Sequence, residues 1–175
     1  AKDIKSGVGD VLRLSMAGDT EASEASDIGT NIVSVYGLKG DDLGDVGDIL
    51  TKAFTSSNMT LGSMGEIMKY VGPVAGMLAK GDSKDDKKDI LVKMSAMSGL
   101  LGDSGIAASM GGTGLRKIAT SLSAPAGESA TLLEDMGVTT KDSRGNLREI
   151  DVILTDISRS MDGLGSAERT ETLKK

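Results

Sequence analysis

The chain has no cysteine, no histidine and no tryptophan. Without cysteine there is no disulfide framework, no thiolate zinc site and no thiol nucleophile. Without histidine the commonest general base and the commonest metal ligand are missing. Tyr36, Phe54 and Tyr70 are the only aromatic residues, which leaves no stacking platform for single-stranded nucleic acid. Proline occurs only at Pro73 and Pro125. Basic residues number 20 against 26 acidic ones, and the net charge of −6 has the wrong sign for a dedicated nucleic-acid binder. No uncharged run approaches the ~18 residues of a membrane span. The start, Ala1-Lys2-Asp3, lacks the apolar run of a signal peptide.

What is present favours helices. A chain of 175 residues predicts one domain or two small ones. Leu, Ile, Val and Phe make up a little over a fifth of it, just above the level at which charged chains fail to fold. Ten methionines take the place of aromatics, and 24 glycines are about twice the ordinary usage. The expectation is a thin, flexible, aliphatic core. The chain begins without Met and stops on a rising helical pattern, so it reads as a piece of something longer.

Apolar spacing predicts eight or nine short helices. Val8, Val11, Leu12 and Met16 form a first stripe, ended by Gly18. Thr20 is the expected cap of a second, with Ile28, Ile32 and Val35, stopped by Gly37. Asp41 and Asp42 open a third, whose stripe runs from Leu43 to Phe54. Thr60 starts a fourth with Leu61, Met64, Ile67, Met68 and Val71. Pro73 should break or kink it, with Val74–Leu78 as a separate piece. The charge run 80–89 reads as a solvated loop leading into a fifth helix with Ile90, Leu91, Met94, Met97 and Leu101. A glycine-rich bridge, 99–114, precedes a sixth with Leu115, Ile118, Ala119 and Leu122. Pro125 at the start and Gly137 just past the end frame a seventh. Val138-Thr139-Thr140, a turn at residues 142–146 and Leu147-Arg148 predict a small β-hairpin over 138–149. Ile150, Ile153, Leu154, Ile157 and Met161 form an eighth, and Ser166 begins a last one. The fold class expected is all-α, a compact bundle with one small hairpin. Residues 1–19 are expected to be an N-terminal helix linking to a parent chain, and 20–175 a helical module cut short at its end.

No constellation supports catalysis. Gly102-Asp103-Ser104-Gly105 matches the nucleophile loop of trypsin-like proteases, but no imidazole exists to take the serine proton. No Ser-x-x-Lys spacing occurs. Gly111-Gly112-Thr113-Gly114 resembles a phosphate loop without the Walker spacing or a preceding strand. In residues 142–148, Arg144 falls where a calcium loop needs an oxygen ligand. No catalytic, cofactor-binding or metal-ligating residue is assigned, and no cofactor is expected.

The order of segments resembles a known family. Residues 53–73, AFTSSNMTLGSMGEIMKYVGP, are similar to the core of phage tail tape measure proteins, through Ala53, Ser56, Thr60, Met64, Glu66, Lys69, Tyr70, Val71, Gly72 and Pro73. Gly105-Ile106, then Gly112, Thr113, Gly114, Leu115 and Arg116, resemble a second motif. Leu122, Pro125 and Leu133-Glu134-Asp135-Met136-Gly137-Val138 resemble a third. Asp142, Gly145, Leu147 and Arg148 fit a fourth, and Ala167-Glu168-Arg169 falls in place after it. The resemblance covers about residues 20–175. Gly112 and Gly114 stand where the family has alanines, and the 80–89 segment is longer and more charged.

The resemblance implies a non-enzymatic structural component of a phage or prophage tail. Such a protein occupies the lumen of the growing tube, sets its length, and leaves before or during DNA passage. Implied partners are other copies of itself, the tail tube protein, tail tip or baseplate proteins and tail assembly chaperones. Implied locations are the virion tail and, during assembly, the host cytoplasm. A Met-rich, glycine-loosened core suits a part that rearranges in a narrow channel. The alternative reading is a non-catalytic helical adaptor whose groove, lined by Met64, Met68, Met94 and Met97, binds an amphipathic partner helix.

Overall fold

The computed structural model describes residues 2–79 and 81–174. Among them the regular structure is helical: α1 (Lys2–Gly18), α2 (Ala22–Val35), α3 (Leu43–Thr55), α4 (Leu61–Leu78), α5 (Lys84–Asp103), α6 (Ala108–Ser123), α7 (Glu128–Asp135), α8 (Ile150–Ser160) and α9 (Ser166–Lys174). A single 3-10 turn, Gly40–Asp42, leads into α3. The chain gathers into two compact units, residues 1–116 and 117–175, and the division falls inside α6.

The first unit is an up-and-down bundle. Local signals set its helix ends. Thr60 accepts the Ser63 N–H at 3.1 Å and caps α4. Ser83 accepts the Asp86 N–H while the Asp86 carboxylate accepts the Ser83 N–H, a reciprocal box at the start of α5. Gly37 ends α2 at φ 63°, and the next N–H, of Leu38, reaches back to the Val33 carbonyl at 2.8 Å.

Contacts then fix the directions. Gly44 and Gly47 of α3 face Asp10 and Leu14 of α1. Asp42 and Asp45 pair with Lys84 and Lys88, and Gly99 of α5 meets Ser57 just past α3. So α1, α3 and α5 run the same way. Gly65 and Gly72 of α4 lie under Ile28 and Val35 of α2, so these two run together in the opposite direction. The result is one layer of α1, α3 and α5 on a second of α2 and α4. Between the layers Val46, Leu50, Met64, Ile67, Val71, Leu91 and Met94 are fully buried. The Tyr36 hydroxyl, also buried, donates to the Met68 sulfur at 3.2 Å, and burial pushes its pKa well above the ordinary value.

The second unit has a smaller core of Ala119, Leu122, Leu133, Val138, Ile150 and Ile153. Gly137 ends α7 at φ 67°, where Val138 N–H bonds the Leu133 carbonyl at 2.8 Å.

Several expectations fail for physical reasons. The hairpin over 138–149 does not form. One antiparallel bridge, Lys141 to Leu147, stands alone among the described residues. The Asp142 carboxylate binds the N–H groups of Arg144 and Asn146, which makes a side-chain-directed turn, and the chain enters α8 at Ile150 before a second arm can extend. Pro73 does not break α4 into two pieces; the helix runs through it. Gly72, before it, has no Cβ for the proline ring to strike. Pro73 and Lys69 lie on the exposed side, where the Lys69 carbonyl that loses its N–H partner can meet water. Pro125 does not start α7, which begins at Glu128 after Gly127. Thr20 does not cap α2; Glu21 holds that position without a side-chain bond, and Thr20 donates to Glu24 at 2.5 Å. The supposed glycine bridge is mostly helix: Gly99 and Gly102 lie in α5, and Gly111, Gly112 and Gly114 in α6.

The first stripe is inverted. Leu14 carries the buried side of α1, while Val8, Leu12 and Met16 are exposed by 54%, 48% and 82%. Met64, Met68 and Met94 are core residues, so they cannot line an open groove.

Candidate functional site

Three features of the first unit lie outside simple packing. The first is a polar clasp. The turn Gly40–Asp42 aims the Asp42 carboxylate inward, where it accepts the Lys39 N–H at 3.0 Å and lies only 3% exposed. Lys84 reaches it in direct ion-pair contact, Lys88 Nζ stands 3.7 Å away, and Lys88 also pairs with Asp45. Lys87 donates to the Gly37 carbonyl at 3.2 Å. So the charged run is not a solvated loop: three of its lysines tie α5 to the connection between α2 and α3. Asp42, expected to open the third helix, is its buried centre. Lys80 lies outside the described residues.

The Lys84 hydrogen bond, then the Lys39 N–H, hold the Asp42 carboxyl below the ordinary carboxylate range, against the opposing effect of burial. A depressed folded pKa adds stability that is complete above the unfolded value near pH 4 and lost as pH falls through the folded value. Asp142 shifts the same way, through the N–H of Asn146 first. Urea unfolding measured between about pH 3 and pH 6 should therefore show midpoints falling with acid. Asp42→Asn should lower the midpoint at pH 6 and flatten the acid limb. An unchanged slope in that variant would show that Asp42 is not the titrating group.

The second feature is a groove between α3 and α5, with a cavity of about 600 Å³. Small residues, Ala53, Ser57, Ser95 and Gly99, line it together with the half-buried Ile49. Asp48, Lys52 and Asp103 stand on its rim. The Ser95 hydroxyl is buried (1% exposed) and has no hydrogen-bond partner among the described residues, whereas Ser98 on the same helix bonds the Met94 carbonyl at 2.7 Å. Val92, Ala96 and Leu100, at four-residue spacing on α5, face outward beside it.

The third feature joins two of the sequence motifs. Tyr70 lies across the backbone of α6 at Gly112, where an added Cβ would come within 3.1 Å of three of its atoms. Gly72 seats Val35, Val71 is fully buried, and Leu115 is buried on α6. Thr113 bonds the Ser109 carbonyl at 2.8 Å, and Arg116 lies exposed. In the second unit Arg148 donates to the Thr139 carbonyl at 2.6 Å and to Asp156 at 2.7 Å, locking the turn at Gly145 (φ 83°) to α8.

The look-alike motifs spend polar groups on their own helices. Ser104 ends α5 and gives its hydroxyl to the Leu100 carbonyl at 2.9 Å. Gly111 spends its N–H on the Ala107 carbonyl at 2.8 Å, inside a helix rather than a phosphate loop. Among the described residues no group of three acidic side chains converges as a metal site, and no helix is long and apolar enough to cross a membrane. The clasp and the groove went unpredicted. The exposed four-residue spacing at 92, 96 and 100 was the one signal for the groove.

Fold and site together define an all-helical module whose distinctive side chains clasp and pack. The family model described as "Phage-related minor tail protein" matches residues 1–175, so the chain belongs to that family. It is 29% identical over 165 residues to the "Probable tape measure protein" of Escherichia phage P2, across 93% of this chain and 19% of that protein. It is 28% identical over 171 residues to the "Tape measure protein" of Pneumococcus phage Dp-1, across 98% of this chain and 14% of that protein. The chain thus spans less than a fifth of the length of these curated relatives. No solved structure matches it.

Proposed function

We propose that the chain is the helical module of a tape measure protein, a structural part of the phage tail that occupies the tube lumen and sets tube length during assembly. The observation that carries this reading is the match of nearly the whole chain to two proteins so named. Composition agrees. The net negative charge lets DNA pass without adsorbing, and the absence of His and Cys suits a non-catalytic part. Its partners are the tail tube protein, tail tip or baseplate proteins, assembly chaperones and its own copies. Tyr70, Val71, Gly72, Pro73, Gly112, Thr113, Leu115, Arg116, Pro125, Gly137, Asp142, Gly145 and Arg148 hold the module's shape rather than react.

The test is made in a phage that carries this coding segment. In-frame deletion of it should abolish tails of defined length in electron micrographs. Particles with tails of unchanged length would overturn the proposal.

A further inference from the structure

We propose that Asp162 and Gly163 form a self-modifying turn, in which the Gly163 main-chain nitrogen closes on the Asp162 side chain and isoaspartate results. The chain holds a single Asp-Gly pair, Asp162-Gly163, and no Asn-Gly pair. It lies between α8 and α9, within the second unit.

The reaction balances without any co-reactant but water. The Gly163 nitrogen attacks Cγ of Asp162. Its proton and one carboxyl oxygen leave as water, and a succinimide ring forms. Water then reopens the ring at one of two carbonyls. Opening at the side-chain carbonyl restores aspartate. Opening at the main-chain carbonyl leaves the chain running through Cγ, with the former main-chain carbon as the free carboxylate. That product is isoaspartate, equal in mass to the start.

Such closure needs an unblocked nitrogen, an untethered carboxylate and room for the ring. The turn supplies all three. Leu164 N–H bonds the Met161 carbonyl at 3.2 Å, which places Gly163 third in a four-residue turn at φ 90°, a conformation that favours glycine. The closing bond does not use the Gly163 N–H, which has no partner among the described residues. The Asp162 carboxylate likewise has neither hydrogen bond nor ion pair among them. Both residues are exposed. No Cβ at Gly163 crowds the approach to Cγ, and no atom lies within 4 Å of where one would stand.

The three Asp-Ser pairs are guarded by comparison. Ser83 gives its N–H to Asp86 at 3.2 Å. Ser104 gives its N–H to the Leu100 carbonyl at 3.1 Å, while the Asp103 carboxylate accepts the Asn58 N–H at 2.7 Å. The Asp142 carboxylate is occupied by the N–H groups of Arg144 and Asn146. The product at Asp162 lengthens the main chain by one carbon between α8 and α9 and keeps the charge.

The reaction belongs to the chain itself, so it stands or falls separately from the tail-length reading. The purified, folded chain is warmed for weeks at near-neutral pH and then cut with trypsin. Cleavage after Arg159 and Arg169 releases peptide 160–169, in which Asp162 is the only Asp or Asn. Cleavage after Lys93 and Arg116 releases peptide 94–116, in which Asp103 is the only one. Isoaspartate is read by enzymatic methylation with a labelled methyl donor and by a new chromatographic peak of unchanged mass. It should accumulate in 160–169 and stay at background in 94–116. Asp162→Glu, whose longer side chain closes such a ring far less readily, should lose the signal; circular dichroism checks that it folds. In guanidinium, peptide 94–116 should gain isoaspartate while the rate at Asp162 changes little. Three results would overturn the proposal: no isoaspartate in 160–169 from the folded chain, an equal or faster rate at Asp103, or a large acceleration at Asp162 on unfolding, which would mean that the turn shields it.

Discussion

Leucine at Gly72 should cost about 3 kcal/mol of stability or more, and alanine there about 1–2 kcal/mol. The reason is the seam between α2 and α4. A Cβ at Gly72 would stand 1.9 Å from Val35 Cγ1 and 3.1 Å from its Cβ. Val35 is β-branched within a helix, so its rotamer has little freedom to give way. Gly65, two turns earlier, faces Ile28 at 2.9 Å, so the seam cannot open at one end without straining the other. Val35→Ala, at a position already 42% exposed, should restore most of the loss in the Gly72→Ala background. The double-mutant cycle therefore predicts a coupling near the full single-mutant cost. Gly76 on the same helix is the control. No atom lies within 4 Å of an added Cβ there, so Gly76→Ala should raise stability by up to ~1 kcal/mol. Urea midpoints measure all five variants, Val35→Ala alone included. Equal effects at 72 and 76 would show that close approach does not govern this seam.

Truncating Ile67 to alanine should remove about 3–4 kcal/mol. Ile67 is fully buried on α4, and an atom of its side chain lies 3.5 Å from the space above Gly111. A domain with about 5–15 kcal/mol in all cannot spare that share easily. Met64 is equally buried, yet Met64→Leu should cost less than ~1.5 kcal/mol, since volume is kept and the thioether makes no hydrogen bond. Calorimetric midpoints check both. A large loss at Met64→Leu would mean the core is fitted more tightly than its unbranched side chains suggest.

The reach of sequence reading follows from what is local. Thr60, Gly37 and Gly137 punctuate helices through bonds within a few residues, and each stands where the pattern places it. The β-hairpin fails because β-prone residues give propensity without a partner arm, and Asp142 captures the turn for itself. In α1 the spacing of Val8, Leu12 and Met16 is helical, but periodicity carries no arrow; it cannot say whether a stripe faces the core or the outside. Pro73 misleads because its effect depends on Gly72 and on which side of α4 is wet. The clasp at Asp42 and the groove around Ser95 are invisible for the same reason. Their members lie some 40 residues apart and meet only once α3 and α5 run side by side.

The seam between α2 and α4 has a mechanical consequence. Ile28 sits over Gly65 and Val35 over Gly72, two contacts at one spacing along helices that run the same way. A force that draws either helix lengthwise past the other loads both contacts at once. Side chains of a whole seam, Ile28 and Val35 riding in the notches at Gly65 and Gly72, must then let go together rather than one at a time.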